Sequence, residues 1–347
     1  MEKNRIIFIG SQNLGGLLDD GETMKNHMLS CALENNIGVI CRIDVRNRLQ
    51  RYYYLLKLLL NLLFFRTSKI VLSSSPLPAD RLLKVMKKLG WEGKNIYYWV
   101  IGGTFGSLIQ EKKVEASRYR DLHNIIVEGE SMKNQLESEG FTNVMVLPNV
   151  KKIDYIPKKE YNHHNPKRFV FLSRVMPQKG VDYILDASKK LKACGYTNFV
   201  VDIYGRIDPS YEATFKSKIQ NADNVSYKGF LMLDNSAGYD TLASYDVMLF
   251  PTYWHGEGFP GIIIDAFIAG LPVIATDWNL NSSLIQNGYN GMIIPVHNVD
   301  ALVDSMRTII SETVDIATMS RNAQNDALKY EVNNVINKDL LERIELL

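Results

Sequence analysis

From residue 6 onward short apolar runs alternate with longer amphipathic stretches, and the series is completed twice along 347 residues. Ile6–Ile9, Val39–Ile43, Ile70–Ser73, Ile96–Val100, Ile125–Val127 and Val144–Leu147 read as strands, with helical spacing at Thr23–Glu34, Ala79–Leu89 and Ser131–Glu139. Strands separated by helices pair in parallel, so the pattern calls for sheets covered by helices. The second series runs Phe169–Ser173, helix Val181–Lys192, Phe199–Tyr204, a helix after Pro209, Val225–Tyr227, Val247–Phe250, Pro272–Ala275 and Met292–Pro295. Val181, Ile184, Leu185 and Leu191, with the small Ser188 between them, follow the helical period and predict a face against the sheet. The amphipathic stretch Glu331–Leu347 reads as a final helix. Between the two series, Pro148 to Arg168 holds three prolines, two adjacent histidines and no periodicity. That stretch reads as a linker, with the domain boundary expected near Asp154–His164.

The charge balance narrows the function. Against 40 Lys+Arg stand 38 Asp+Glu, a net of +2, which removes the electrostatic case for a nucleic-acid binder. Residues 1–156 carry a net of +6 and residues 157–347 a net of −4, so the halves are expected to face different partners. Cys31, Cys41 and Cys194 are odd in number and lack C-x-x-C spacing, which suggests neither a disulfide framework nor a zinc site. The N-terminus runs straight into a strand, and no export signal is read there. A cytoplasmic location is expected. The longest apolar run, Tyr52–Phe65, falls short of the ~20 residues a spanning helix needs.

Ligands of doubly wound sheets sit at the carboxyl ends of strands, and two such places hold unusual residues. After Phe169–Ser173 comes Arg174-Val175-Met176-Pro177-Gln178-Lys179-Gly180, which sets a guanidinium and an ammonium on one strand-to-helix turn. That pair reads either as a phosphate clamp at a helix N-terminus or as two solvated charges. After Val247–Phe250 comes a Gly-rich loop with one carboxylate, Glu257, and then an apolar helix starting at about Pro260. Asp265 is the sole charge between Ile262 and Gly270 and is therefore expected to be buried. Its partner is either the vicinal diol of a ribose or an internal cap or ion pair.

These segments resemble the family 4 glycosyltransferases of the GT-B fold. The family's Glu-x7-Glu signature is similar to Glu257-x7-Asp265, and its Ser-Arg and Lys-Gly elements to Ser173-Arg174 and Lys179-Gly180. A Pro-Asn motif matches at Pro148-Asn149, and an Asn-Gly…Gly element at Asn287-Gly288 and Gly291, all in family order. The resemblance implies two Rossmann-like domains facing each other across a cleft: 1–156 on the acceptor side, 157–330 binding the nucleotide sugar, and a C-terminal helix, 331–347, packing back toward the first. It implies a retaining transferase whose donor is a nucleotide diphosphate sugar, UDP-sugar favoured, with no tightly bound cofactor. Arg174 and Lys179 would bind the diphosphate, Glu257 the sugar hydroxyls, and Asp265 the ribose. Groups from Phe259, Pro260, Gly261 and Ile262 would meet the phosphates. Gly21 would match the second glycine of the family's N-terminal pair, with Asp20 replacing the first; Gly15-Gly16 is the competing match. No Asp-x-Asp occurs, so no metal is implied. The acceptor would be a sugar or lipid-linked sugar of a cell-surface polysaccharide or glycolipid pathway.

The sequence departs from the family pattern in places. Asp265 is one methylene shorter than glutamate, and Pro260-Gly261-Ile262 replaces the usual Gly-Leu-Pro. The first-domain loop Tyr98–Thr104 lacks the family's histidine, and His123 comes at a different point in the chain. His255 reads as catalytic or merely structural, His163-His164 as solvated, and Tyr253 and Trp254 as sugar platforms or core lids. Two alternatives stand beside the transferase: a catalytically silent GT-B partner subunit, and an NAD-dependent oxidoreductase with Asp44 on a ribose. Gly10, Gly15 and Gly16 fail the G-x-G-x-x-G spacing the oxidoreductase needs.

Residues 42–66 hold Arg42, Arg46, Arg48, Arg51, Lys57 and Arg66 against Asp44, interleaved with Tyr52–Phe65. Such a segment suits an anionic membrane interface, which would place the protein peripherally at the inner face. The alternative is a core helix with solvated arginines.

Overall fold

The computed structural model describes residues 5–14, 21–46, 51–159, 164–233 and 235–347. The chain divides into two units, Met1–Lys152 with Tyr330–Leu347, and Ile153–Lys329. The first holds β1 (Ile6–Gly10), β2 (Cys41–Asp44), β3 (Lys69–Ser74), β4 (Ile96–Val100), β5 (Asn124–Val127) and β6 (Val144–Val146). They form a parallel sheet in the order β2-β1-β3-β4-β5-β6. The second holds β7 (Lys167–Leu172), β8 (Phe199–Tyr204), β9 (Val225–Gly229), β10 (Val247–Phe250), β11 (Val273–Thr276) and β12 (Gly291–Ile294), ordered β12-β11-β10-β7-β8-β9. Strand order reverses between β1 and β3 in one unit and between β7 and β10 in the other. Those are the points where doubly wound sheets open a crevice at their carboxyl edge.

Both faces of each sheet are covered, so the strands read as continuous apolar runs. Successive residues of one strand serve opposite cores. In the first unit Ile7, Ile9, Leu72 and Tyr98 enter one core and Ile6, Phe8, Val71 and Tyr97 the other. The second of these cores contains Leu29 and Leu33 of the helix Gly21–Ile37, and also Val332, Ile336, Leu340 and Ile344 from the end of the chain. That final stretch is not one helix but two, Val332–Val335 and Lys338–Arg343. Each starts at its own cap: the Glu331 carboxylate accepts from the amides of Asn333 and Asn334, and Asn337 Oδ1 from the amide of Leu340. A capping asparagine in mid-stretch restarts the helix. Tyr97 Oη and Lys69 Nζ both donate to the carbonyl of Glu345.

Asp44 is buried, and its carboxylate accepts from the amides of Gln12 (3.1 Å), Leu14 (2.7 Å) and Arg46 (3.0 Å). The group weighed as a ribose ligand is therefore committed to holding the chain as it leaves β1.

The helix Arg51–Phe64 buries only a narrow stripe: Tyr54, Asn61 and Leu62, with Leu58 partly covered. Its remaining apolar side chains face outward, from Tyr52 (86% exposed) through Leu55, Leu56, Leu59 and Leu63 to Phe64 (73%). The cations near it are not all free. Arg42 pairs with Glu34 at 2.5 Å, and Lys57 Nζ donates to the carbonyl of Arg42 at 3.0 Å. Arg48 and the side chain of Arg51 lie outside the described residues.

In the second unit the expectation of solvated histidines is corrected at His164, whose Nδ1 meets Asp246 Oδ1 at 2.7 Å. The other oxygen of Asp246 accepts from the amide of Arg168, so the ring supports a carboxylate that fixes the start of β7. His163 lies outside the described residues. Nearby, Lys159 is buried, and its ammonium donates to the carbonyls of Ala243 and Tyr245 at the end of the helix Ser236–Ala243. Burial pushes its pKa down to about 8. Because the unfolded lysine holds its proton to about pH 10.4 and the native one to about 8, the contribution of Lys159 to stability should rise with pH across that window. Buried tyrosines such as Tyr239 and Tyr245, held protonated in the native state, act in the opposite sense as their unfolded counterparts ionise at about pH 10. The measurement is therefore the difference between the parent and Lys159→Met, in which urea unfolding should show the parent gaining on the variant by roughly 1–2 kcal/mol from pH 8 to pH 9.5.

Candidate active site

The ends of β7 and β8 meet closely. Gly205 has φ 138°, and a Cβ there would stand 1.7 Å from the carbonyl oxygen of Ser173, so only glycine fits. Arg174 follows with its side chain exposed. The half-buried Asp208 sits below the usual carboxylate range, first through hydrogen bonds from Ser210, with the Arg174 charge adding to the effect.

Beyond Arg174 the chain makes one tight turn at Pro177–Lys179 and enters the helix Val181–Ala193 through Gly180, at φ 84°. A Cβ on Gly180 would stand 2.1 Å from the carbonyl oxygen of Pro251. The turn therefore lies directly on the chain leaving β10. The amide of Tyr253 donates to the carbonyl of Gln178 at 2.8 Å, and Thr252 Oγ1 to the same oxygen at 3.3 Å. This contact brings Lys179 to Glu257. Their side chains form an ion pair, each 12% exposed, and Thr252 Oγ1 also reaches Glu257 Oε2 at 3.3 Å. The backbone of Glu257 is held on both sides, its amide donating to the carbonyl of Trp254 and its carbonyl accepting from Asn279 Nδ2.

Four residues after Glu257 the helix Gly261–Ile268 begins, with Pro260 at its cap. Phe259 and Pro260 are buried, while Gly261 and Ile262 are half-buried. The first amides of a helix find no carbonyl within it and suit an anion. Asp265, one turn on, is 4% exposed, as its isolation among apolar residues demanded. One of its oxygens has an internal partner, the hydroxyl of Tyr239 at 2.8 Å. Burial, and then the adjacent carboxylate, drive the pKa of Tyr239 far up, so its proton stays available for donation.

The sequence reading missed several neighbours. Thr252 lies between β10 and Glu257, and the sequence reading gave it no role. Tyr239 stands 26 residues before its partner and carries no local signal. Tyr253 packs its ring 4.7 Å from that of His297 and 5.5 Å from that of Tyr183, whose hydroxyl bonds His297 Nδ1. His255 is exposed and edge-on to Trp278 at 5.4 Å, and Trp278 Nε1 donates to the carbonyl of Trp254.

In the first unit Gly21 opens the helix Gly21–Ile37, with nothing within 4 Å of where a Cβ would stand. Gly15, Gly16 and Asp20 lie outside the described residues. His123 stacks on Tyr97, ring centres 4.5 Å apart, with Nδ1 at the carbonyl of Lys94. Among the described residues no three His, Cys, Asp or Glu side chains gather into a metal-holding group.

Residues 152–326, just over half of the chain, match the family model of glycosyl transferases group 1. The chain belongs to that family. It is 26% identical over 159 residues to the UDP-Gal:alpha-D-GlcNAc-diphosphoundecaprenol alpha-1,3-galactosyltransferase of Escherichia coli, covering 45% of this chain and 40% of that one. It is 23% identical over 244 residues to the poly(ribitol-phosphate) alpha-N-acetylglucosaminyltransferase of Staphylococcus aureus, covering 67% and 46%. The chain spans about half the length of the curated relatives it matches. Among solved structures, HepE of Anabaena in complex with UDP is similar over 99% of this chain and 100% of that one, with a TM-score of 0.72 and 15% identity. The lipopolysaccharide outer core galactosyltransferase WaaB covers the same shares at a TM-score of 0.70 and 16% identity. These likenesses establish the fold as GT-B.

The Tyr239–Asp265 contact has a measurable consequence. Tyr239→Phe should cost roughly 1–3 kcal/mol of unfolding free energy, since it strips a donor from a buried carboxylate. In a double-mutant cycle with Asp265→Asn, chemical denaturation should show the two changes to be non-additive.

Proposed function

We propose that the protein is a retaining glycosyltransferase that moves a sugar from a nucleotide diphosphate sugar, UDP-sugar favoured, to an acceptor hydroxyl in cell-surface polysaccharide or glycolipid synthesis. The observation that carries this reading is the Lys179–Glu257 pair, set with Thr252 at the point where strand order reverses between β7 and β10. An ammonium and a carboxylate there suit the two ends of the bond that breaks. The family match, a relative whose name includes a UDP-sugar and a diphosphoundecaprenol acceptor, and a UDP complex of the same fold support it.

In this reading residues 157–330 bind the donor and residues 1–156 face the acceptor. The bond from the anomeric carbon to the diphosphate oxygen breaks while the acceptor oxygen bonds to the same carbon on the same face, and the acceptor proton leaves on a phosphate oxygen. Arg174 and Lys179 stabilise the charge growing on the diphosphate, as preorganised donors do in transition states. The first amides of the helix Gly261–Ile268 assist. Glu257 exchanges its ion pair for hydroxyls of the donor sugar, and Asp265 orders the ribose with Tyr239 holding its other oxygen.

Arg174→Ala and Lys179→Ala are each expected to lower kcat by about 10²–10³; thermal stability should change little in the exposed Arg174 variant and fall in the Lys179 variant, which leaves Glu257 shielded and unpaired. Turnover near that of the parent in either variant would remove the clamp from the mechanism. Glu257→Gln should cripple transfer and leave UDP affinity nearly intact, whereas Asp265→Ala should weaken both. Calorimetric titration of UDP into the two variants separates the roles.

The acceptor side supports a membrane contact. The outward face of the helix Arg51–Phe64 is a row of tyrosine, leucine and phenylalanine side chains flanked by Arg46 and Arg66, and no helix among the described residues is long and apolar enough to cross a membrane. A short amphipathic helix of this kind lies in the interface, with each nearby cation contributing about 1 kcal/mol on an anionic surface. The protein should therefore sediment with phosphatidylglycerol vesicles at low salt and not with phosphatidylcholine vesicles. Changing the exposed Leu56, Leu59 and Leu63 to Gln should release it without unfolding.

A further inference from the structure

We propose that Trp278 and Asn279, in the loop leaving β11, are positioning residues for Glu257: their side chains hold the backbone that carries it and so set where the donor sugar is met. The inference rests on the reading of Glu257 as the residue that meets that sugar.

β10 and β11 pair in parallel as far as Phe250 and Ala275, where the backbone ladder between them ends. Each chain then makes a tight turn on itself, the amide of Thr252 donating to the carbonyl of Phe250 and the amide of Trp278 to that of Thr276. Past this point side chains take the place of amides. Thr276 Oγ1 donates to the carbonyl of Thr252, Trp278 Nε1 to the carbonyl of Trp254 at 2.8 Å, and Asn279 Nδ2 to the carbonyl of Glu257 at 2.7 Å. Donors from residues 276, 278 and 279 thus meet acceptors from residues 252, 254 and 257 in the same order along both chains.

Glu257 needs this support, because it lies in neither a helix nor a strand. It ends a single turn, in which its amide reaches back to the carbonyl of Trp254 at 3.0 Å and the Trp254 indole closes over Gly256, leaving a Cβ there only 2.5 Å from Nε1. Trp278 and Asn279 grip the first and last residues of that turn, and Thr276 grips Thr252, whose hydroxyl touches the Glu257 carboxylate. Asn279 is exposed and sits at φ 48°, in the left-handed region that asparagine and glycine tolerate. Its side chain therefore contributes a hydrogen bond and little burial. Asp265, assigned to the ribose, is held from elsewhere, by Tyr239. Loosening residues 278 and 279 thus acts on the sugar end of the donor and spares the nucleotide end. A misplacement of about 1 Å in a reacting site can cost on the order of 10² in rate.

The test uses the full chain with two variants. Trp278→Phe keeps an aromatic ring and loses the Nε1 donor; Asn279→Gly keeps the left-handed backbone and loses the amide donor. Both should be folded by circular dichroism. With UDP-glucose, UDP-galactose and UDP-N-acetylglucosamine as probes, kcat for release of UDP from the donor the parent hydrolyses fastest should fall about ten-fold in each. Affinity for UDP, which has no sugar, should match the parent's in calorimetric titration. A second readout needs no nucleotide: acetylation of Lys179 by acetic anhydride, followed by mass spectrometry, should be several-fold faster in both variants, because a displaced Glu257 no longer holds the ammonium. A side chain that served only overall stability would leave the Lys179 rate unchanged in a folded variant. The proposal is overturned if both variants hydrolyse the donor as the parent does, if UDP affinity falls in step with kcat, or if Lys179 is labelled at the parent's rate. Failure of the parent to hydrolyse any of the three probes counts instead against the donor reading, and the labelling still decides whether residues 278 and 279 fix Glu257.

Discussion

The candidate site depends on one backbone contact: the turn at residues 178–180 rests on residues 251–253 with no side chain between. Gly180 permits it, because any Cβ would meet the Pro251 carbonyl, and the amide of Tyr253 and hydroxyl of Thr252 fasten it to the carbonyl of Gln178. The contact decides where the charges go. With the two loops touching, Lys179 and Glu257 are held at pairing distance in a place where each is mostly shielded from water. In such surroundings opposite charges interact far more strongly than in solvent. The two charges therefore satisfy each other within the protein itself.

Much of the architecture was legible in the sequence because period and spacing are local properties. The twelve strands follow from apolar runs, and the helix start near Pro260 from proline's missing amide, although the proline stands at the cap, one residue before the first helical position expected for it. Asp265 was legible through isolation, a lone carboxylate in an apolar helix that had to be buried. What was illegible came from distant parts of the chain. Tyr239 meets Asp265 only because two helices pack together, and His297, which follows β12, meets Tyr253, which follows β10, across 44 positions of sequence with one strand between theirs. His164 looked solvated because its carboxylate, Asp246, lies 82 positions away. The break at Asn337 was readable in principle, since asparagine is a preferred cap, but the amphipathic period ran across it.

The two units use buried carboxylates differently. Asp44 in the first unit is satisfied by three backbone amides and is thereby a fixed piece of scaffold. Asp265 in the second has a tyrosine hydroxyl, a donor that can reorient as the carboxylate's other contacts change. Position alone would have ranked the two alike, as acids near the carboxyl edge of a parallel sheet. The partners distinguish them, since amides in a turn cannot be traded for a ligand's hydroxyls without undoing the turn.

Residues 330–347 belong to the first unit, filling one face of its sheet with Val332, Ile336, Leu340 and Ile344. The second unit is thus inserted within the sequence of the first. Domains fold as units, usually in the order of their synthesis, but here that order is inverted. On the ribosome the second unit has all of its residues once Lys329 has emerged, while one core of the first stays incomplete until residues 330–347 arrive. During that interval the core of Phe8, Val71, Tyr97 and Trp99 has Leu29, Ala32 and Leu33 of the helix Gly21–Ile37 but lacks Val332, Ile336, Leu340 and Ile344, so its closure comes last.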